Sequence, residues 1–589
     1  MTKRMNKYEY DVLYTLSKSP YVNQRTLSQE TGFSLGVVNR CLKNLEGEGY
    51  LDADMALTKK ARDVILKHRP KNAIILAAGF GMRMVPINYE IPKALLVVHD
   101  EVLIERLIRQ LNEAGVSNIT VVVGFMMEKF EYLIDKYGVE LVANPDYISK
   151  NNLHSLLCAE DKIADTYIVP CDLWFEENPF RTAEFYSWYL LSDRNDPESN
   201  VRTSRTSELV RSIHHEDSLK MVGLAHISND DSAHFRELLE NLEKEHASDA
   251  LFWEDVLFTD PSWSIMARVI PDSAVSEINT YEDLRELDQH SNSLNSDAIK
   301  IITDALSVSE EDIQDISILK KGMTNRSFLF KCRDQKYIMR IPGEGTDMLI
   351  NRKNEAAVYD AIKGKGICDD VVYLNPENGY KITKYLENIR SADAHDQDDL
   401  KACMKKLKGF HNLKLKVPHS FDIYERIEFY ESLWCGRPSI FGDYLETKDK
   451  MLRLKEIIDS TKKDFSLTHI DAVCDNFLFY KEEDGSEGLQ LTDWEYAGMQ
   501  DPHVDIAMFC IYSYYDKKSV DNLIDIYFEG NCDTETRRKI YCYIAICGFL
   551  WSNWTEYKRI LGVDFGEYGL RQYHYAKEYY KYAMELLEG

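Results

Sequence analysis

Between Ala73 and Lys93 the chain reads AIILAAGFGMRMVPINYEIPK, and this stretch limits the fold more than any other. Ala73 to Leu76 is a short apolar run that reads as a buried strand. The run stops at Ala77-Ala78-Gly79-Phe80-Gly81, where the two glycines let the backbone turn tightly and bring its N–H groups close to a ligand. Arg83 follows, and Lys93 comes after Pro86 and Pro92, both of which block regular structure. A strand, a small-residue loop and two cations together make a phosphate cradle, and residues 73–290 read as one α/β unit around it.

The spacing is not that of a P-loop, because no Gly-Lys-Ser/Thr closes it, and the G-x-G-x-x-G dinucleotide fingerprint is absent. The full string A-A-G-x-G-x-R, followed ten residues later by Pro-Lys, resembles the signature of the sugar-nucleotide-type nucleotidyltransferases. The neighbouring sequence is most similar to bacterial CTP:phosphocholine cytidylyltransferases. That resemblance implies a Rossmann-like mixed sheet. It places a nucleotide on Ala78, Gly79 and Gly81, and makes Arg83 and Lys93 the catalytic cations that stabilise developing phosphate charge.

Further along, Val102 to Leu111 has helical spacing, Ile119 to Val123 is an apolar strand and Leu141-Val142-Ala143 is another. In NPDYISKNNLHSLLCA, the Asn152 and Ser155 side chains at a strand end suit hydrogen bonding to a base or ribose, although Asn is also a turn residue. Thr166 to Asp172 is a strand ending in a carboxylate. In the family this aspartate holds Mg²⁺ against the triphosphate, as a hard cation with phosphate co-ligands requires. The family's second metal carboxylate lies in a Glu-Ile-Asp string, and here the string is Glu277-Ile278-Asn279. An amide oxygen can ligate Mg²⁺ but brings no charge, so Asn279 should hold the metal more weakly unless Glu277 or Asp255 compensates. Trp253, Glu254 and Asp255 set an aromatic face beside acids, which suits a quaternary ammonium and equally suits a core tryptophan. Residues 192–218 read as an exposed excursion.

At 589 residues the chain is too long for one core. Its net charge of −27 argues against wholesale nucleic-acid binding, but residues 1–70 carry 12 Lys/Arg against 8 Asp/Glu. Within them, helical patterns alternate with turns. Tyr10 to Leu16 and Arg25 to Thr31 read as helices, Ser34 caps a third, residues 47–57 suggest a hairpin, and Leu57 to Ala61 starts another helix. This resembles a winged helix-turn-helix module, mainly α, over residues 1–68. Arg25, Asn39, Arg40, Lys43, Lys59 and Lys60 would then meet DNA; docking and dimerisation are the other uses of such a module. Lys67 to Asn72 and Asp288 to Asp297 read as linkers, so the domains fall at 1–68, 72–290 and 298–589. No apolar run approaches the roughly 18 residues that span a bilayer. The start has no signal-peptide core, and the 12 scattered cysteines read as reduced, which together predict a cytoplasmic protein.

In the last segment His469 to Asn476 fits H-x-D-x-x-x-x-N, and Leu491-Thr492-Asp493-Trp494-Glu495 follows after a hairpin-like break. The spacing lets Asp471 accept a hydroxyl proton while Asn476 and Asp493 hold Mg²⁺ on nucleotide phosphates, so residues 298–589 read as an α+β protein-kinase-like fold. Lys321 to Ser327 would cover the phosphates, with Thr324 and Asn325 in contact. Arg340 stands where a phosphate-contacting lysine is usual, and Glu355 is its ion-pair partner. These features resemble choline/ethanolamine kinases and, more distantly, aminoglycoside phosphotransferases. Asp505 reads as a brace for the catalytic loop. Trp551 and Trp554, three apart on one helix face, match the ammonium pocket of choline kinases, with Trp494, Glu495 and Tyr496 beside them.

The resemblances together imply a bifunctional fusion enzyme that uses ATP, CTP, choline and phosphocholine with Mg²⁺ as cofactor. They leave open ethanolamine or another amino-alcohol as acceptor, and a homodimer. They also leave open a DNA-binding regulator whose transferase domain senses nucleotide or phosphocholine.

Overall fold

The computed structural model describes residues 5–87, 91–212, 217–244, 248–319, 325–343, 349–368, 371–482, 485–561, 563 and 565–588. Contacts divide the chain into two units, residues 1–299 and 300–589.

The first unit begins with α1 (Lys7–Lys18), α2 (Gln24–Thr31), α3 (Leu35–Gly47) and α4 (Lys59–Lys67). Each start is written in the sequence. Asn6 and Glu9 form a reciprocal capping box, Asn23 caps α2, Ser34 caps α3 and Thr58 caps α4. Val12, Leu13, Leu27, Val38, Leu42 and Leu45 fill the small core between them. The expected hairpin is reduced to one bridge between Leu51 and Leu57.

Seven strands follow: β1 (Asn72–Ala77), β2 (Asn118–Val123), β3 (Glu140–Ala143), β4 (Thr166–Pro170), β5 (Trp188–Asn195), β6 (Leu219–Ile227) and β7 (Met266–Ile270). Their order in the sheet is β7-β5-β6-β4-β1-β2-β3. The β4-β1-β2-β3 half is parallel, β6 runs antiparallel to both neighbours, and β7 is parallel to β5. The sheet is therefore mixed, with the buried parallel strands reading as continuous apolar runs. Apolar clusters cover both faces, one around α5 (Leu103–Glu113), the other around α6 (Asn152–Leu157) and α7 (Asn229–Glu243). The loop after β1 and the turn after β4 lie at the carboxyl ends of adjacent parallel strands, where open α/β sheets place ligands.

The winged helix is fastened to this sheet. Asp11 Oδ1 accepts from Tyr186 Oη at 2.8 Å and from an Arg181 guanidinium nitrogen at 3.3 Å, while Tyr10 stacks on Phe185 at 4.6 Å. Beneath, buried Glu184 takes both terminal nitrogens of Arg268 and the Trp188 indole N–H. Residues 288–297, read above as a linker, also close on the sheet domain. Val97 N donates to Ser293 Oγ, His99 N donates to Asp288, and Ser291 donates to Val97 O. The serines and aspartate that made the segment look solvated are its fastenings.

The second unit carries an antiparallel sheet of β8 (Ile313–Ile318), β9 (Asn325–Cys332), β10 (Gln335–Pro342), β11 (Val371–Leu374) and β12 (Lys381–Lys384), in the order β8-β9-β10-β12-β11. The helix α8 (Arg352–Ile362) lies between β10 and β11 in sequence. A helical part follows, with α9 (Gln397–Asn412), α10 (His503–Tyr512), α11 (Thr534–Ile560) and α12 (Glu567–Glu588). Helix α11 is buried over most of its length, which explains its lack of a polar face. Among the described residues no helix is long and apolar enough to cross a membrane.

Candidate active sites

The loop after β1 packs on the lysine that the sequence singled out. Gly81 adopts φ 63°, and a Cβ there would lie 3.4 Å from Lys93 Cβ, so a side chain would be strained. Lys93 Nζ donates to Asp172 Oδ2 at 2.6 Å and to Asn279 Oδ1 at 2.9 Å. A guanidinium nitrogen of Arg83 donates to the same Asn279 oxygen at 3.1 Å. The backbone explains the convergence: residues 173–175 and 275–277 pair antiparallel, and Ile278 N donates to Asp172 O at 3.0 Å. Arg83, Lys93, Asp172 and Asn279, drawn from separate parts of the chain, thus form one cluster.

Other expected contacts lie elsewhere. Ala78 is buried, whereas Gly79 is exposed on the loop. Ser155 is buried and accepts from Asn144 Nδ2 at 3.0 Å, and Asn152 Oδ1 accepts from Trp253 N at 2.9 Å. Both side chains sit on α6 and tie it to neighbouring segments: Ser155 is enclosed in this role, and Asn152, half-buried, spends its oxygen on the Trp253 backbone. Trp253 is 0% exposed and packs against Tyr189 and Phe235, so it is core and presents no face to an ammonium. Asp255 caps its own turn through Phe252 N at 3.0 Å.

Glu254 is different. Its Oε2 is shielded from solvent without a hydrogen-bond partner, and its Oε1 lies 3.4 Å from the Tyr189 hydroxyl. That hydroxyl accepts from Gly223 N at 2.8 Å. Burial pushes the Glu254 carboxyl up to about 8, and the charges of Asp255 and Asp172 add to the shift. Tyr189 carried no sequence signal, because it sits in an ordinary apolar strand.

In the second unit a cavity of about 660 Å³ is lined by Asp471, Asn476 and Asp493 together with Tyr496, Trp551 and Trp554. Asn476 Nδ2 donates to Asp471 O at 2.8 Å and to Asp471 Oδ2 at 3.2 Å. Burial, then the charge of Asp493, pushes the Asp471 carboxyl up to about 7. The loop before it is strained: Ile470 has φ 70°, costly for a β-branched residue. Asp505 holds that bend by accepting from His469 N at 3.0 Å and Ile470 N at 2.7 Å, and His411 Nε2 lies 2.9 Å from it.

Arg340 and Glu355 form a bidentate ion pair at 2.5 and 2.9 Å, and Arg340 also donates to Gly379 O at 2.9 Å. Arg352 joins Glu355 at 3.2 Å, packed where Gly379 leaves room: a Cβ there would meet Arg352 Cδ at 2.6 Å. Burial works to raise the Glu355 carboxyl, but the charge and hydrogen bonds of Arg340 overcome it and hold it below the usual range. With both terminal nitrogens engaged, Arg340 organises the cavity wall, and its Nε is left without a hydrogen-bond partner. Lys381, missed in the sequence, pairs with Arg340 across β10 and β12 and lines the same cavity. Only strand register brings it there. Thr324 and the side chain of Asn325 lie outside the described residues, as do Lys321 to Met323.

The tryptophans divide. Trp551 and Trp554 meet edge to face at 5.6 Å, and Tyr496 meets Trp551 at 5.7 Å, giving the cavity an aromatic corner. Phe565, Tyr568 and Tyr512, also missed, complete its lining. Trp494 is 0% exposed, wedged against Phe410 and His469, so its place in the box is corrected to core. Glu495 lines the cavity but lies 3.9 Å from Arg352, which ties its charge to the Arg340–Glu355 network.

The donor sets fit Mg²⁺. Each site offers one carboxylate and one amide oxygen, Asp172 with Asn279 and Asp493 with Asn476. Among the described residues no group of three or more His, Cys, Asp or Glu could hold a metal by itself. A cation that takes one or two protein oxygens and completes its shell with phosphate and water suits such sites.

Comparison with known proteins assigns these regions. A Choline/ethanolamine kinase family model matches residues 316–574, a MobA-like NTP transferase domain matches 73–183, and a Winged helix-turn-helix DNA-binding model matches 5–52. Choline-phosphate cytidylyltransferase of Streptococcus pneumoniae is 30% identical over 221 residues, which span 37% of this chain and 96% of that protein. 2-Aminoethylphosphonate cytidylyltransferase of Lancefieldella rimae is 34% identical over 32% of this chain and 78% of its own length. Protein LicA of Haemophilus influenzae is 28% identical over 42% of this chain and 96% of its own.

Proposed function

The chain belongs to the choline-phosphate cytidylyltransferase family, joined here to a choline/ethanolamine kinase domain, and from that premise we propose that it makes CDP-choline in two consecutive steps. Residues 298–589 phosphorylate choline with ATP. Residues 72–290 then join phosphocholine to the α-phosphorus of CTP and release pyrophosphate. The cavity that unites Asp471, Asn476 and Asp493 with Tyr496, Trp551 and Trp554 carries the reading.

In the kinase half the aromatic corner faces the quaternary ammonium, and Asp471 accepts the hydroxyl proton as the oxygen attacks the γ-phosphorus. Its raised proton affinity suits a base that works near neutral pH. In the transferase half Arg83 and Lys93 leave Asn279 and Asp172 for the triphosphate, and they stabilise charge as pyrophosphate departs. Glu254, with an unpartnered oxygen, is the carboxylate for the substrate's ammonium. Asp172 with Asn279, and Asn476 with Asp493, would hold Mg²⁺. When bound, the ion supplies positive charge to the phosphate oxygens.

An amino-alcohol with a primary ammonium is the second reading. The buried carboxylate favours it, since a primary ammonium can donate a hydrogen bond where a quaternary one cannot. Residues 1–68 are proposed to bind DNA through the outward face of α3, where Arg40 and Lys43 are exposed.

The test is incubation of the full chain with choline, ATP, CTP and Mg²⁺, followed by ³¹P NMR. CDP-choline and pyrophosphate are expected. Phosphocholine accumulating alone would leave the kinase and recast the middle domain as a sensor or scaffold. Faster turnover of ethanolamine than of choline would favour the second reading.

A further inference from the structure

Asn279 stands where a family carboxylate is expected, and its surroundings are unusually complete. Its Oδ1 accepts from Lys93 and Arg83 at 2.9 and 3.1 Å, and its Nδ2 donates to Glu277 Oε1 at 2.6 Å. The Asn279 backbone N–H donates to Asp283 Oδ2 at 2.8 Å. The other Glu277 oxygen lies 3.4 Å from Lys220 Nζ, so Glu277 is itself held from the far side.

An amide has two ends of opposite polarity. Turned over, it would point its NH₂ group at two cations and its oxygen at a carboxylate, which exchanges every attraction for a repulsion. An aspartate would need no such control, because its two oxygens are equivalent. We propose that Glu277 is a positioning residue for nucleotidyl transfer: it fixes the Asn279 amide with its oxygen toward Lys93, Arg83 and Asp172. The pair then does by orientation what an aspartate at position 279 would do by symmetry. This rests on the cytidylyltransferase reading of residues 72–290.

The test is a cycle of four proteins: the wild type, Glu277→Ala, Asn279→Asp and the double variant, with Glu277→Gln alongside. The first readout is kcat and KM for CTP in pyrophosphate release. The second is Mn²⁺ retention in the presence of CTP without phosphocholine, read from the spin-resonance signal of free ion. Thermal unfolding of the full chain, compared with the wild type, reports that residues 72–290 of each variant are folded, and kinase turnover by the other half normalises the protein concentration. Glu277→Ala is expected to lower kcat about tenfold and to weaken Mn²⁺ retention by a similar factor, the usual cost of losing a residue that orients a ligand. Glu277→Gln keeps an acceptor oxygen and is expected to recover most of both. In the Asn279→Asp background, Glu277→Ala should lower neither, because there it removes a like charge that faces the new carboxylate.

Equal losses in both backgrounds would overturn the proposal and leave Glu277 a structural residue. No recovery with Glu277→Gln would also overturn it, because charge rather than orientation would then be the active property. A wild type that releases no pyrophosphate would fail the cytidylyltransferase reading instead. The Mn²⁺ cycle, made without turnover, would still decide the role of Glu277.

Discussion

The two nucleotide sites of this chain meet the same polyanion with opposite preparations. In the kinase half the charges are settled among themselves before a ligand arrives. Arg340 is locked to Glu355 with side chains 7% and 0% exposed, and Asp471 is braced by Asn476. In the transferase half the settlement is provisional. Lys93 lies between Asp172 and Asn279, more open to solvent, and it must give up both to meet a triphosphate. A buried ion pair fixes geometry, because breaking it leaves an uncompensated charge. A partly open pair can be exchanged at modest cost. The first site is therefore built by the fold, and the second is finished by its ligands.

The sharpest way to break this contrast is to silence each site alone. Asp471→Asn should lower choline phosphorylation by roughly a thousandfold, within the range for loss of a general base, while cytidylyl transfer from added phosphocholine continues unchanged. Lys93→Ala should do the reverse, with a loss on the order of a hundredfold or more in pyrophosphate release. It should also raise the affinity of the CTP-free protein for Mn²⁺, because Asp172 and Asn279 lose their resident cation. Separate assays of the two half-reactions check both. If Lys93→Ala left Mn²⁺ binding unchanged, the transferase site would be as locked as the kinase site.

A smaller effect tests what the kinase enclosure is for. Cation–π contacts contribute about 0.5 to 2 kcal/mol each, so Trp551→Ala should raise KM for choline roughly tenfold with little change in KM for ATP. Ethanolamine, able to hydrogen-bond, should lose less. Equal losses for both acceptors would make the aromatic corner a packing feature.

The sequence disclosed the two sites unequally, and the reasons are physical. The stretch from Ala73 to Lys93 and the H-x-D-x-x-x-x-N string are local, so chain order alone puts their residues within reach. Asn279 was found through a short string, but its bonds to Lys93 and Arg83 depend on the pairing of residues 173–175 with 275–277. Lys381 and Tyr189 had no string at all, since strand register and a neighbouring turn make them part of a site. Trp494 was misplaced, and Trp253 left undecided between pocket and core, for the converse reason. An aromatic residue beside an acid reads the same whether its ring faces a ligand or the core, and here both rings face the core. The start of α3 was legible because its cap, Ser34, is a one-residue signal, whereas α1 starts at Lys7, ahead of the Tyr10 to Leu16 run, on a cap at Asn6 that was not read. The 288–297 segment looked like a linker because its serines bond to a distant loop.

The smallest effect concerns Glu254, a carboxylate of the transferase half with one shielded oxygen that no donor meets. Glu254 holds its proton up to about pH 8 in the free protein, against an ordinary value of 4.5. The unfolded chain therefore ionises first, and stability should fall as pH rises from 4.5 toward 8 and level off above it. A bound ammonium favours the ionised form, so below pH 8 phosphocholine must expel the proton. KM for phosphocholine should accordingly drop as pH is raised from about 6.5 to 8.5, on the order of tenfold if only the ionised form binds. Glu254→Gln has no proton to expel. It should bind weakly at every pH and lose the part of the slope that is not the substrate's own titration, which the comparison with wild type removes. A wild-type slope that persists in Glu254→Gln would assign the titration elsewhere. It would also leave the transferase half, like the kinase half, with its charges settled before the substrate arrives.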